Sequence, residues 1–379
     1  MASNESTGQR LGVFHDTGAP EGSADYTTLV IVHGYVWHGG VFTRLLPLAK
    51  EYNTRVILLN RRGYPGSAPY TDEELASFPE LPPGDVIQEK VDEAGKKLDV
   101  WMRERTYEIL HFLEDLVKAD SIPQTQPGKN VGGIVVVGWS FAALMALSIV
   151  SYGPTFPANN DVDLGKYLRR VVMHDPGLGV LGYIAKEGTY QPALDVSLSE
   201  EQRAAAFDAW IGGYYAHGST LDSLASMPLA EPPSTISTLS PEEKVAMTHP
   251  FPDVTVLDLK VTELGVRTGL TATLRERALY DKNKLPGRQD GGSANKLEEA
   301  GDGPDTWREV ELRLVWCEKS VMQVPYGMML LGLELEEARK TGAWIRDVRI
   351  VRVKEGNHFV HWDHPALAMR AFLRDELEF

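Results

Sequence analysis

Residues 134–147 read IVVVGWSFAALMAL, and this stretch decides the fold. Its first four residues are β-branched and favour a buried strand, which Gly138 interrupts. After Ser140 the residues are mostly good helix formers. This break argues against a membrane span, although no charged residue occurs from 130 to 160. We therefore predict a serine held in a tight turn between a buried strand and a helix.

Short runs of the same kind recur along the chain and alternate with helical patterns. They cover residues 28–32, 56–59, 134–137, 170–173, 312–316 and 348–353. Leu110, Leu113 and Val117 recur at helical spacing, and Pro365 suits the first turn of a last helix. This alternation is typical of an α/β fold with a mostly parallel central sheet and helices on both faces. Residues 1–25 are small and polar, and we predict a loose lead-in there.

The alternation fails between residues 182 and 306, a segment far longer than one strand–helix unit needs. It holds helical patches at 200–215 and 271–281, a Pro-rich stretch, and a Gly-rich, charged stretch at 286–304. We therefore predict an α/β core interrupted by an insertion. The predicted parts are the first core segment over residues 26–181, a helical cap with its linker over 182–306, and the second core segment over 307–379.

The composition restricts the partners of the chain. In 379 residues, 38 Lys and Arg oppose 53 Asp and Glu, for a net charge of −15. Nucleic acid and anionic membrane surfaces are disfavoured, because both are bound through clustered basic residues. Cys317 is the one cysteine, so no internal disulfide can form. The first 28 residues lack the apolar stretch of a signal peptide, and we expect a cytoplasmic protein.

The turn GWSFA at residues 138–142 has the features of a nucleophile turn. A serine between a buried strand and a helix is held with its hydroxyl above the sheet edge, and small neighbours let strand and helix approach. The N-terminus of the following helix stabilises a developing negative charge. We predict that Ser140 is a nucleophile; a serine that only caps the helix is the alternative interpretation.

Three other segments complete a pattern. HGY at 33–35 follows the first predicted strand, RGYPGS at 62–67 the second, and EGNHF at 355–359 the last. Together with GWSFA they resemble the α/β-hydrolase family over nearly the whole chain outside the predicted cap. The chain departs from the family pattern at Asn60, where many members have Asp, and at Ala142, where Gly is commoner. In the RGYPGS loop a glycine is displaced by one place.

The resemblance implies a serine hydrolase with an inserted cap. His358 would act as the general base for Ser140, since a free serine hydroxyl is hardly ionised at neutral pH. The backbone N–H groups of Tyr35 and Phe141 would form the oxyanion hole for the charge that develops on the substrate.

The acid that orients His358 has two candidates. In the commoner family arrangement it follows the strand before the last, but the matching position here is Ser320, and Glu318 lies two residues early. Asp175 follows the preceding predicted strand. Haloalkane dehalogenases and some lactone hydrolases carry the acid there, after the sixth strand of the family's sheet. We favour Asp175 and keep Glu318 as the alternative, because either preserves the chain order Ser, acid, His.

The sequence predicts neither a metal nor a cofactor. His361 and His364 continue a three-residue spacing after His358, but Pro365 and the loop setting argue against a helical metal site. No Gly-rich phosphate loop stands in a strand–helix context.

We predict hydrolysis of a carboxylic ester or lactone of a hydrophobic, potentially aromatic small molecule. The candidate substrate contacts are Trp37, His38, Trp139, Trp210, Tyr214 and Tyr215. Core packing is the alternative interpretation for each of them.

Other functions stay open at this point. A C–C bond hydrolase or a thioesterase-like release enzyme could use the same triad, and a non-catalytic ligand receptor could use the same fold. Epoxide and haloalkane hydrolysis are disfavoured, because those relatives carry Asp in place of Ser140. A homodimer formed through the cap is compatible with the sequence.

Overall fold

A seven-stranded sheet forms the centre of the computed structural model, which describes residues 10–126, 128–157, 162–185, 190–192, 195–248, 252–280 and 306–379. The strand order is β1-β3-β2-β4-β5-β6-β7. The strands are β1 (Gly12–Asp16), β2 (Thr27–Val32), β3 (Thr54–Asn60), β4 (Ile134–Trp139), β5 (Leu168–His174), β6 (Glu311–Cys317) and β7 (Val348–Val353). Among the strands of the described residues, only β1 and β3 pair antiparallel, so the mostly parallel sheet is confirmed.

Each of the six predicted strands lies within an observed strand, but β1 was missed. The predicted lead-in over residues 1–25 is wrong at this point, because Gly12–Asp16 pairs with β3 at the sheet edge. Only Gly12 of this strand is buried, so burial does not require an apolar residue at every position, as it does in the central strands. Backbone bonds to β3 and two hydrogen bonds from Arg55 to Asp16, of 2.9 and 2.5 Å, hold the edge strand instead.

Helices cover both faces of the sheet. They are α1 (Asp72–Ser77), α2 (Gln88–Asp120), α3 (Ala142–Tyr152), α4 (Glu200–Ile211), α5 (Pro241–Met247), α6 (Pro252–Arg267), α7 (Leu270–Leu279), α8 (Gln323–Lys340), α9 (Val360–Asp363) and α10 (Pro365–Leu373). The predicted helix around Leu110, Leu113 and Val117 is α2, and all three side chains are buried. The last helix begins at Pro365 as predicted.

Strand β4 explains why the deciding stretch is apolar throughout. Ile134 and Val136 pack into the core on one side of the sheet, whereas Val135 and Val137 pack into the core on the other side. Because successive strand residues point to opposite faces, a strand covered on both faces must be apolar at every position. The described part of the chain contains no helix that is long and apolar enough to cross a membrane.

In the described residues between β5 and β6, where the sequence predicts an inserted cap, lie the helices α4 to α7. The helical patch predicted at 200–215 ends earlier, at Ile211, because Gly212 and Gly213 follow. The patch predicted at 271–281 is α7. Helix α6 packs against α2 and α7, and α7 packs against α3. The Gly-rich, charged stretch at 286–304 lies outside the described residues.

Candidate active site

Four loops meet at the carboxyl ends of the parallel strands. Residues 33–35 follow β2, Ser140 directly follows β4, Asp175 directly follows β5, and His358 lies in the loop after β7. The carboxyl edge of an open α/β sheet is where loops from different strands converge on one site. The topology therefore brings together residues that are far apart in the sequence.

Ser140 occupies a strained turn. Its φ is +57°, in the left-handed region that non-glycine residues rarely adopt. The N–H of Ser140 donates to the carbonyl of His174 at 2.9 Å, and its own carbonyl accepts from Ala143 at 3.0 Å. A Cβ added at Gly138 would lie 2.0 Å from the carbonyl oxygen of Ala142, so only glycine lets the helix begin this close to β4. Such strain persists where the surroundings hold the residue in place.

His358 and Asp175 form a buried pair. His358 Nδ1 lies 2.6 Å from Asp175 Oδ2, and both side chains are almost completely buried. Oδ2 also accepts the hydroxyl of Ser320 at 2.5 Å, while Oδ1 accepts the N–H of Cys317 at 2.8 Å. Burial by itself would raise the pKa of Asp175. The hydrogen bond and the charge interaction with His358, with smaller contributions from His174 and from the Ser320 hydroxyl, outweigh burial and hold this pKa below its ordinary value. Asp175 is therefore ionised at neutral pH.

The alternative acid lies elsewhere. Glu318 accepts a hydrogen bond from Arg352 at 2.6 Å, and its backbone N–H donates to Val353. The structure thus brings Asp175, and not Glu318, against His358. Ser320, which the sequence matches to the commoner position of the acid, donates its hydroxyl to Asp175.

The segment after β2 packs against the serine turn. A Cβ added at Gly34 would lie 2.9 Å from Ser140 Cβ and 3.4 Å from its Oγ. The rings of Tyr35 and Phe141 stack with centroids 4.9 Å apart. Among the described residues, no acceptor is within hydrogen-bonding geometry of the backbone N–H of Tyr35 or of Phe141. Both N–H groups are thus available beside Ser140.

Two further histidines lie next to the His358–Asp175 pair. His174 and His361 are fully buried, with His174 Nε2 3.4 Å from His361 Nδ1. Burial lowers the pKa of His174 to about 4 and lowers the pKa of His361 well below its ordinary value, so both rings are neutral at neutral pH. His364 is exposed. Within the described ranges no three His, Cys, Asp or Glu side chains are grouped as metal ligands.

Three of the predicted substrate contacts, Trp37, His38 and Trp139, have packing or capping roles in the structure. Trp139 has no exposed surface, and its indole N–H donates to the carbonyl of His358 at 3.0 Å. His38 caps a 3₁₀ helix by accepting the N–H of Gly40 at 3.1 Å. Trp37 packs edge-on against Phe359, with ring centroids 5.1 Å apart. Substrate could reach Trp139 only after the surrounding side chains rearranged.

The other predicted contacts lie in and directly after α4: Trp210 belongs to the helix, and Tyr214 and Tyr215 follow it. The hydroxyl of Tyr214 donates to Asp363 at 2.6 Å, and the hydroxyl of Tyr215 donates to the carbonyl of Trp210 at 2.8 Å. Trp210 is partly exposed, and its ring centroid lies 5.8 Å from that of Phe207. Of the predicted contacts in this region, Trp210 keeps the most surface available for a ligand.

Sequence reasoning missed a network of hydrogen bonds that joins the segment after α4 to the loop that contains His358, called the histidine loop below. The amide of Asn357 donates to Thr235 Oγ1 and to the carbonyl of Gly212, each at 2.8 Å. The hydroxyl of Thr235 donates to Asp363 at 2.5 Å. Asn357 directly precedes His358, but a single asparagine gives no sequence signal that its partners lie more than a hundred residues away.

A comparison with models of protein families identifies the family of the chain. A family model described as the alpha/beta hydrolase family matches residues 29–371. No curated protein is significantly similar to the chain.

Several solved structures are similar over most of their length. A bromoperoxidase from Bacillus anthracis is 15 % identical, with 95 % of this chain and 94 % of that chain covered and a TM-score of 0.42. The thioesterase domain from the curacin biosynthetic pathway is 16 % identical, with 94 % and 93 % covered and a TM-score of 0.38. The haloalkane dehalogenase DpaA from Paraglaciecola agarilytica is 14 % identical, with 94 % and 85 % covered and a TM-score of 0.45.

Proposed function

The chain belongs to the alpha/beta hydrolase family, and from that premise we propose that it is a serine hydrolase that cleaves a carboxylic ester or lactone through an acyl-enzyme. The observation that carries this proposal is the buried His358–Asp175 pair, whose atoms Nδ1 and Oδ2 are 2.6 Å apart, at the same sheet edge as the Ser140 turn. A base oriented by a third group next to a strained serine is the arrangement that activates a hydroxyl for attack.

Each of these residues takes one role in the reaction. Ser140 Oγ attacks the substrate carbonyl carbon, and His358 takes the hydroxyl proton on Nε2. Asp175 holds the proton of Nδ1 and stabilises the imidazolium that forms. The carbonyl oxygen becomes an oxyanion and accepts the N–H groups of Tyr35 and Phe141. His358 then protonates the leaving alkoxide, and the acyl group remains on Ser140.

Water completes the cycle. His358 accepts a proton from a water molecule, whose oxygen attacks the acyl carbon, and then returns that proton to Ser140 Oγ as the acid product leaves. The neutral state of His174 and His361 supports this assignment, because a second imidazolium beneath His358 would oppose its protonation.

The residue types favour an ester or lactone over a haloalkane or an epoxide. Dehalogenases and epoxide hydrolases of this family carry Asp as the nucleophile, whereas this chain carries Ser140. A serine forms an ester with the acyl group, and water can hydrolyse this ester with the same base. The aromatic side chains in and after α4, of which Trp210 is partly exposed, support a hydrophobic small molecule as substrate.

We further propose that the segment between β5 and β6 covers the site as a cap. His217 Nε2 lies 2.7 Å from the carbonyl oxygen of Ser320, and the N–H of Tyr215 donates to Lys319 at 3.1 Å. The hydrogen bond between Asn357 and Thr235 joins the same segment to the histidine loop. These contacts connect the segment to the loop after β6, whose Cys317 and Ser320 bond to Asp175, and to the loop after β7, which contains His358.

The test is covalent trapping of Ser140. The purified protein is treated with a fluorophosphonate probe and, separately, with a mixed library of aryl esters, lactones, thioesters and vinylogous diketones, followed by mass spectrometry of the intact protein. We expect a phosphonyl adduct on Ser140 and acyl adducts from esters or lactones, both absent in Ser140→Ala.

The matched control is Ser148→Ala, which removes another serine hydroxyl from α3, where it only donates to Leu144 within the helix. This variant should label like the wild type. Acyl adducts from thioesters alone, or turnover of diketones alone, would replace the ester assignment. A folded wild-type protein that the probe does not label would favour a ligand receptor.

A further inference from the structure

A buried arginine connects the segment at 33–35 to the helices between β5 and β6. Arg61 directly follows β3 and is only 3 % exposed. Its guanidinium donates to the carbonyl of His33 at 3.1 Å and to the carbonyl of Gly34 at 2.9 Å. The same guanidinium forms a bidentate ion pair with the carboxylate of Asp258 in α6, with N–O distances of 2.8 and 2.5 Å. One side chain therefore links three parts of the chain.

The Gly34 carbonyl belongs to the same peptide group as the N–H of Tyr35. In a planar trans peptide the C=O and the N–H point in opposite directions, so a donor that holds the oxygen also sets the direction of the N–H. A cation on the oxygen also polarises the amide, which makes the N–H a stronger donor. Arg61 thus acts on the peptide whose N–H is proposed to bind the oxyanion.

A second donor reaches the same carbonyl. The backbone N–H of Arg61 donates to His33 Nε2 at 3.1 Å, so we assign the ring proton to Nδ1. Nδ1 lies 3.0 Å from the carbonyl oxygen of Gly34 and can therefore donate to it. The ring of Phe141, the residue with the other proposed oxyanion donor, lies under the guanidinium, 4.8 Å from the Arg61 carbon Cζ.

Helix α6 makes a second contact one turn further along. The hydroxyl of Tyr35 lies 2.5 Å from Thr262 Oγ1, and Thr262 is four residues after Asp258 on the same face of α6. The helix therefore holds Tyr35 directly through its side chain and indirectly through Arg61. A buried ion pair by itself contributes little net stability, because its desolvation offsets its attraction.

We propose that Arg61 positions the Gly34–Tyr35 peptide as an oxyanion donor, and that Asp258 of α6 holds Arg61 in the orientation this requires. Arg61 is a positioning residue, since it acts through the peptide and does not touch the substrate. The consequence is that a helix of the inserted segment takes part in building the oxyanion hole. The inference rests on the proposed serine hydrolase function.

Two variants test this role. Arg61→Met with Asp258→Leu removes both buried charges together, which avoids leaving one of them unpaired. Arg61→Lys keeps the positive charge opposite Asp258, but a single ammonium group cannot bond to the His33 and Gly34 carbonyls and to both Asp258 oxygens at once.

The control is Arg55→Met with Asp16→Asn, at the opposite end of β3 and remote from Ser140. Arg55 also pairs with Asp120, but the Asp120 side chain is 39 % exposed and stays hydrated when this contact is lost. Circular dichroism and thermal unfolding identify the folded variants.

The readouts are kcat and KM for a p-nitrophenyl ester, the inhibition constant of a trifluoromethyl ketone, and the rate of fluorophosphonate labelling. The ketone forms a tetrahedral adduct whose oxyanion occupies the hole. We expect kcat to fall about 10–100-fold in both Arg61 variants, the inhibition constant to rise by a similar factor, and KM to change by less than about threefold. The control should match the wild type in all four quantities.

The outcomes separate the two proposals. If the wild type labels at Ser140 and a folded Arg61 variant keeps kcat and the inhibition constant within about threefold, Arg61 is only structural and this inference is wrong. If only one of the two variants folds, its kcat and inhibition constant are judged by the same threefold limit. We expect Arg61→Lys to fold in any case. If the wild type neither labels nor binds the ketone, the proposed function fails, and the inference fails with it.

Discussion

The change of Asp175 to Asn tests the site most directly, because asparagine has the same shape and its contacts can be worked out from the structure. In the wild type, Oδ1 accepts the N–H of Cys317, and Oδ2 faces His358 Nδ1 and the hydroxyl of Ser320. If the amide oxygen of the new side chain keeps the Cys317 contact, its NH₂ group faces His358. The imidazole must then accept on Nδ1 and carry its proton on Nε2, where it cannot act as a base for Ser140.

The opposite orientation of the amide is also unfavourable. It would return an oxygen to His358 but turn the NH₂ group towards the N–H of Cys317, and a buried donor left without an acceptor costs about 1–3 kcal/mol. The wrong tautomer should therefore dominate. Loss of the correct tautomer typically lowers kcat about 10⁴-fold, which corresponds to about 5 kcal/mol of transition-state stabilisation.

The assay is kcat for a p-nitrophenyl ester together with the rate of fluorophosphonate labelling, in variants checked for folding by circular dichroism. The matched control is Glu318→Gln, which removes a partly exposed ion pair with Arg352 worth about 0.2–1 kcal/mol and should leave kcat within about twofold. A folded Asp175→Asn protein with kcat within about tenfold of the wild type, beside a Glu318→Gln protein that loses orders of magnitude, would refute the reasoning.

Three further predictions concern the same site. A Cβ at Gly34 would lie 2.9 Å from Ser140 Cβ, so Gly34→Ala should slow fluorophosphonate labelling about 10–100-fold by displacing one of the two residues. An unchanged rate would show that this segment does not constrain the serine. Ser320→Ala removes a donor from Asp175 and should lower kcat about fivefold in initial-rate assays, for a loss of about 1 kcal/mol; an equal kcat would make this hydroxyl dispensable. Burial holds the pKa of His174 at about 4 in the folded protein against 6.5 in the unfolded chain. The unfolded chain therefore binds more protons as the pH falls below 6.5, and stability decreases towards pH 4. Urea unfolding should show a loss of about 2 kcal/mol from this residue between pH 8 and pH 5, and a His174→Gln protein should show a smaller pH dependence; equal pH dependence in the two proteins would contradict this account.

The sequence predicted the strands that are buried on both faces but missed the one at the edge. In β2 and β3 every residue is buried, and a continuous apolar run records that environment. Strand β1 has four exposed residues out of five, and its pairing comes from backbone hydrogen bonds, which every sequence can make. Local residue pattern therefore carries no signal for such a strand.

The candidate site likewise contains residues that local sequence predicts and contacts that it does not predict. Ser140 and His358 lie in short motifs whose conformation is local: a glycine next to a strained turn, and a loop after the last strand. The choice of Asp175 over Glu318 is not local, since both carboxylates follow a strand and differ only in which one the loops bring against His358. Contacts such as those of Asn357 with Thr235 join residues with no mutual pattern in the sequence.

By itself, then, the sequence determined the α/β class, the mostly parallel sheet and the turn at Ser140, because hydrophobic burial and backbone strain select residue types at each position. Tertiary structure decided which carboxylate pairs with His358 and how Arg61 connects Gly34 to Asp258, which lies 197 residues after Arg61. The physical reason is that a hydrogen bond or an ion pair depends on distance and direction in space. For these residues, the distances and directions are set only when the sheet edge and the helices between β5 and β6 pack together.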